Sequence, residues 1–202
     1  MYGGLMTELQ KTEKELYELT LKVARLRRES HPTPVKNYKF QTLEGETTLR
    51  ELFGDKEILF LIHNMGQGCR YCTLWADGIN GFVSHIESEF ALAVVSKDSP
   101  QIQRQFANSR QWRFKMASHQ GGEYIQEQTV LSGEANSPGM VCYIRKGQEI
   151  FRKNSVSFGP GDEFCPQWNI LSLAGISIEE WTPQFNYWRR PEKMDDGGKN
   201  LE

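Results

Sequence analysis

The hydrophobic pattern changes period several times along the chain. From about Met6 to Glu29 there is neither Gly nor Pro, and Leu9, Leu16, Leu19, Val23 and Leu26 fall close to an a/d stripe, which predicts one long helix. Its charged face carries Glu8, Lys11, Lys14, Glu15, Lys22 and Arg25. The stripe packs against the rest of the chain or against a partner subunit, the second choice making a homodimer. Pro32 and Pro34 stop the helix and hold the connection extended. Tyr38 to Gln41 alternates like an edge strand, and Thr48 caps a short helix through Leu49, Leu52 and Phe53. Two runs then read as buried strands, Ile58 to Ile62 and Phe90 to Ser96. Between them Trp75, Ile79, Phe82, Val83 and Ile86 recur at helical spacing, with Gly78 and Gly81 as weak points. A helix from about Pro100 to Arg110 turns Ile102 and Phe106 inward, and Trp112, Phe114 and Met116 alternate as a further strand. This β-α-β-α-β rhythm predicts parallel strands covered by helices on both faces, with right-handed crossovers. After an irregular stretch over 120–137, Met140 to Ile144 and Glu149 to Phe151 form an antiparallel hairpin, and Trp168 to Leu173 a short closing helix. The expected division is a helix and linker over 1–34, one α/β domain over 35–190 and a mobile polar tail over 191–202. The aromatic end, Trp181, Phe185, Tyr187 and Trp188, reads as a core lid or subunit contact.

The first buried strand leads through His63-Asn64-Met65-Gly66-Gln67-Gly68 into Cys69-Arg70-Tyr71-Cys72. Strand, glycine turn and Cys-x-x-Cys at a helix start are the arrangement on which thioredoxin-like redox chemistry is built. The thiolate is the nucleophile, and a free cysteine is only a few per cent ionised at neutral pH. The unpaired N–H groups and dipole of a helix N-terminus stabilise an anion by about 0.3 to 2 kcal/mol, and the Arg70 guanidinium adds a screened contribution. Residues three apart within a helix have Cβ atoms about 5 to 6 Å apart, whereas a disulfide needs roughly 3.8 Å, so Cys69 belongs at the cap. Cys69 is therefore the expected outer, attacking sulfur and Cys72 the more buried, resolving one, both on one exposed face. Asp77 is a candidate acid nearby, or else an ordinary solvated helix residue.

Two other uses of the pair compete. A structural zinc site needs a second ligand pair, but Cys142 and Cys165 stand singly, and His31, His63, His85 and His119 are dispersed. Alternatively both thiols pack as small apolar groups. Cys142 reads as a buried strand residue, and Cys165, in a loop, as a packed thiol or a third redox partner. The net charge of -2, from 24 basic and 26 acidic residues, gives no argument for nucleic acid. No apolar run approaches the roughly 20 residues of a membrane span, and no secretory leader is evident, which predicts a cytoplasmic protein.

Val94 to Ser99, then Phe106, then Phe114 to Ser118 resemble the way peroxiredoxin-type (AhpC/TSA-like) members of the thioredoxin-like superfamily continue after their cysteine helix. Cys69-Arg70-Tyr71-Cys72 with Trp75-Ala76-Asp77-Gly78 resembles more narrowly the family of predicted dithiol-disulfide oxidoreductases known as domain of unknown function 899. The resemblance covers most of the chain. It implies a thioredoxin-like α/β fold, a central mixed sheet flanked by helices with an N-terminal helical extension. It also implies thiol-disulfide exchange without metal or organic cofactor. The partners would be a protein or small-molecule disulfide, or a peroxide, together with a thiol reductant.

Three departures qualify that likeness. Arg70 and Tyr71 stand where thioredoxins usually hold Gly-Pro, a change that shifts redox potentials. Six residues before the first cysteine, where thioredoxins bury an acid, this chain has His63, either a proton acceptor for Cys72 or a structural histidine. The peroxiredoxin approach Pro-x-x-x-Thr-x-x-Cys is absent, which weighs against a conventional peroxidase. By the same resemblance Pro138, just before the hairpin, is the expected cis-proline facing the cysteines.

Overall fold

The computed structural model describes residues 6–183. The described residues divide after Pro32 into two compact units. In the first, α1 (Glu8–Glu29) is a single helix opened by a Thr7 capping box with Gln10 and closed by Arg27 and Arg28 in its last turn. None of its side chains is buried.

The second unit is a mixed sheet of eight strands among the described residues, in the order β1-β8-β7-β4-β5-β6-β2-β3. These are β1 (Thr33–Val35), β2 (Lys39–Thr42), β3 (Gly45–Thr48), β4 (Ile58–His63), β5 (Ala91–Ser96), β6 (Lys115–Ser118), β7 (Gly139–Lys146) and β8 (Glu149–Ser157). β4, β5 and β6 run parallel, and β7 lies antiparallel to β4 and to β8. The helices are α2 (Leu49–Leu52), α3 (Arg70–Asn80), α4 (Val83–Glu87), α5 (Pro100–Arg110), α6 (Glu123–Glu127) and α7 (Pro166–Leu173).

The expected strands and helices are present, with instructive shifts. Part of the expected linker is β1, where Pro34 pairs opposite Phe151 on the sheet edge, where a residue without an N–H is tolerated. The cysteine helix ends at Asn80, with Gly81 as its C-cap, and a separate α4 follows. Ile102, expected inward, is exposed; α5 instead buries Gln103 and Ala107. Gln103 fills that position because its amide donates to Ser96 Oγ (2.8 Å) and the Ala117 carbonyl (3.0 Å), bracing β5 against β6. Trp112 and Phe114 precede β6 and pack in the core instead of forming its alternating strand.

Period-two alternation splits β4 between two cores. Leu59 and Leu61 face a cluster with Phe40, Tyr124, Ile125, Val141 and Tyr143, whereas Ile62 faces Trp75, Ala76 and Ile79 of α3. Each fully buried aliphatic side chain contributes about 1.5 to 3 kcal/mol, so this strand anchors both layers. The cysteines begin α3 directly beyond its C-terminal end.

Candidate redox site at the start of α3

Cys69 is the N-cap of α3, with extended backbone (φ −93°, ψ 105°). Its sulfur takes the role a Ser or Asp oxygen plays at most helix starts and accepts the backbone N–H of Cys72 at 3.1 Å. The Cys69 carbonyl accepts the Thr73 hydroxyl at 2.9 Å, locking the first turn. Cys72 Sγ accepts the Met65 N–H at 3.4 Å, and its carbonyl accepts from the Asn64 side chain at 3.4 Å. Both cysteines are free thiols. Neither lies on an exposed face: Cys69, expected outermost, is 0% exposed, and Cys72, expected the more buried, is 3% exposed. The expected outer and inner roles therefore have no counterpart in exposure.

The approach loop depends on Gly66 and Asp98. Gly66 adopts φ +111°, its N–H donates to Asn64 Oδ1 (2.8 Å), and Gln67 N–H donates to Asp98 Oδ2 (2.7 Å). A Cβ at position 66 would lie 2.8 Å from both Asp98 carboxylate oxygens. Gly66→Ala is expected to destabilise the protein by about 1 to 3 kcal/mol, through backbone strain and loss of the Asp98 brace. Urea denaturation measures this, and an unchanged midpoint would contradict it.

The other expected site residues are dispersed. Arg70 is buried at the first position of α3. Tyr71 is half-buried, its ring 6.2 Å from Trp75 and 6.4 Å from Trp168. Asp77 accepts from Trp112 Nε1 (2.7 Å) and Arg110 Nε (3.1 Å) and also pairs with Arg110 Nη2. It joins α3 to the end of α5 and the segment leading into β6. Asp77→Ala is expected to cost about 2 to 3 kcal/mol of stability, because it leaves charged and buried donors without their acceptor. Calorimetry decides, and a loss below about 0.5 kcal/mol would contradict the brace. Pro138 directly precedes β7, its carbonyl accepting from Phe158 N–H (2.9 Å). It is not in cis: every peptide bond among the described residues is trans, Asn136 reversing the chain with φ +61° instead. Cys165 is the buried N-cap of α7, Cys142 is half-buried on β7, and burial raises the pKa of both thiols. Among the described residues no three His, Cys, Asp or Glu side chains converge on a metal-sized site. Phe185, Tyr187, Trp188 and the expected tail lie outside the described residues.

His63 ends β4 on the face opposite α3. Its Nε2 lies 2.6 Å from Tyr124 Oη, the first link of a chain reaching the surface. At the outer end Tyr38 Oη donates to Glu127 Oε2 (2.7 Å) and so must accept from Gln128 Nε2 (3.0 Å). Gln128 Oε1 then accepts from Tyr143 Oη (3.1 Å), with Arg152 Nη1 at 3.5 Å. A phenol has one proton, and Tyr143 commits it to an amide oxygen that can only accept. The 3.2 Å contact between Tyr143 and Tyr124 therefore carries the Tyr124 proton, and His63 Nε2 is the donor across its own link. His63 Nδ1 carries the lone pair, buried and without a hydrogen-bond partner. Burial, then the nearby His119 and Arg152, push the His63 pKa down to about 3, so the ring is neutral.

The sequence does not mark His119, Asp98, Asn64 or Tyr124 as site residues. His119 follows β6 directly, accepts the Gly121 N–H at Nδ1 (3.0 Å), and is held to a pKa of about 4 by burial and Lys97. Asp98 directly precedes the N-cap Ser99 of α5, as an ordinary helix-start acid would, and Tyr124 lies in the stretch read as irregular. Neither carries a local signal of its role.

The chain matches over residues 2–194 the model of a family described as "Bacterial protein of unknown function (DUF899)". No curated protein matches it. Among solved structures it is similar to AhpC of Enterococcus faecalis, with a TM-score of 0.50 and 10% identity over 72% of this chain and 96% of that one. A peroxiredoxin-like protein of Aquifex aeolicus gives 0.49 and 15% identity, covering 62% and 74%. Peroxidoxin BcpB of Mycobacterium tuberculosis gives 0.48 and 15%, covering 63% and 85%. Among the described residues no helix is long and apolar enough to cross a membrane. With a cysteine pair opening the helix after the first parallel strand of a mixed sheet, the chain has a thioredoxin-like fold and belongs to this bacterial family of unknown function.

Proposed function

We propose that the protein is a thiol-disulfide oxidoreductase working through Cys69 and Cys72, with no metal or organic cofactor. The observation that carries this reading is the 3.1 Å contact of the Cys72 N–H with Cys69 Sγ, which brings the attacking sulfur to the residue that must resolve it. An N–H donor at the positive end of a helix is the surrounding that suits a thiolate. The Cys69 thiolate attacks a substrate disulfide, forming a mixed disulfide and expelling one substrate thiolate. Cys72 Sγ then attacks Cys69 Sγ, forming the Cys69–Cys72 disulfide and releasing the second thiolate. A dithiol reductant reverses the oxidation. A histidine held to a pKa of about 3 is a poor base for a thiol, and Asp77 is engaged by Arg110 and Trp112. The Cys72 proton therefore passes to the departing substrate thiolate, with His63 and Asp77 as structural residues.

The burial of both sulfurs favours a second reading, in which the oxidant is small. A peroxide O–O bond is cleaved by Cys69, giving a sulfenic acid and an alcohol or water; Cys72 then condenses with the sulfenic acid, releasing water. Assays with a dithiol reductant separate the two. Turnover of a peptide disulfide without peroxide consumption supports disulfide exchange. Peroxide consumption with no action on the peptide disulfide replaces it by peroxide reduction.

A further inference from the structure

Helix α1 carries a pattern that the redox reading does not use. With Leu9, Leu16 and Val23 at position a of a heptad, position d holds Thr12, Leu19 and Leu26. The four leucines are 53 to 68% exposed. Thr12, the polar member, spends its hydroxyl on the Glu8 carbonyl one turn back (3.0 Å), so its methyl group remains for the seam.

The flanking charges select a partner for this seam. Position e holds Glu13, Thr20 and Arg27, and position g holds Glu8, Glu15, Lys22 and Glu29. A parallel pair of these helices meets g to e five residues on, placing Glu8 against Glu13 and Lys22 against Arg27 of the second helix. Every charged pair is then a like pair. An antiparallel pair meets g to g and e to e, with Leu16 layered on Leu19 at the centre. Glu15 then faces Lys22 and Glu13 faces Thr20, each twice by symmetry. The like pair, Glu8 with Glu29, also formed twice, falls at the helix ends, where Lys11 already lies 3.9 Å from Glu8.

We propose that α1 pairs with the α1 of a second copy of this chain as an antiparallel two-helix coiled coil. Thr12 and Val23 then share a layer, as do Leu9 and Leu26, and the isologous contact closes as a dimer.

Sedimentation velocity of the full chain from micromolar to sub-millimolar concentration tests this. The wild type is expected to show a monomer–dimer equilibrium, and Leu16→Glu to remain monomeric. Lys22→Glu should weaken the dimer by on the order of tenfold, as two attractive pairs become repulsive, and Lys22→Glu with Glu15→Lys should restore it. A parallel pair gives the opposite sign, since in Lys22→Glu the introduced carboxylate would face Arg27 and strengthen association. That reversal, a dimer indifferent to Leu16→Glu, or a monomer throughout would each overturn the proposal. The last outcome would leave the stripe to another surface.

Discussion

Replacing Cys69 by Ser is expected to abolish disulfide turnover, a loss of about a thousandfold or more, while leaving the fold in place. The serine hydroxyl reproduces the cap, since Ser is a preferred N-cap residue and would accept the Cys72 N–H as the sulfur does. What it lacks is an ionisable nucleophile at neutral pH. The companion Cys72→Ser behaves differently, because attack by Cys69 still occurs and only resolution fails. It should accumulate a mixed disulfide visible as the substrate's added mass and released by dithiothreitol. Undiminished turnover in Cys69→Ser would remove the attacking role from that residue. Undiminished turnover in Cys72→Ser would mean that another thiol resolves, with Cys165 the nearest candidate in chemistry.

Acidification from pH 7 to pH 5 is expected to destabilise the folded protein by about 4 kcal/mol through two histidines alone. His63 and His119 have folded-state pKa values of about 3 and about 4, both below the ordinary 6.5. The unfolded chain therefore binds protons that the folded chain refuses. Stability is complete above about pH 6.5 and falls as the pH drops toward each folded value, by up to about 1.4 kcal/mol per unit for each ring. Glu51, Glu127 and Glu179 have pKa values lowered by their hydrogen bonds and add to acid sensitivity only below the ordinary carboxylate range, which leaves pH 5 to 7 to the histidines. His119→Gln, whose amide oxygen can accept the Gly121 N–H in place of Nδ1, should roughly halve the loss in that window. Denaturation midpoints at both pH values check this, and a slope unchanged by the substitution would contradict it.

The β-α-β-α-β core and the cysteine helix were legible because their signals are local. Ile58 to Ile62 and Ala91 to Ser96 are continuous apolar runs, as strands buried on both faces must be, and Gly66 breaks the chain where a positive φ is needed. Ile102 misled because its helical spacing fits the inward face, while Gln103 wins that face through hydrogen bonds to β5 and β6 that no spacing rule contains. The burial of the thiols has a related reason: a helix-start position implies a polar surrounding within its own stretch, and what packs over it from elsewhere in the chain leaves no mark on the spacing. Likewise His63, Tyr124, Tyr143, Gln128 and Tyr38 come from separate stretches, joined by links of as much as 90 residues, so a chain of hydrogen bonds between them leaves no trace in any one stretch.

Cys69 and Cys72 should exchange electrons as a pair, and equilibrating the purified protein in dithiol/disulfide buffers of stepped potential decides whether they do. Alkylation followed by mass analysis at each step should give one two-electron transition in which both thiols are lost together, spanning about 30 mV per tenfold change in ratio, and Cys69→Ser should erase it. If the two sulfurs stay reduced, or oxidise independently, across every buffer, the pair is a packed element of the fold and the proposed chemistry is wrong.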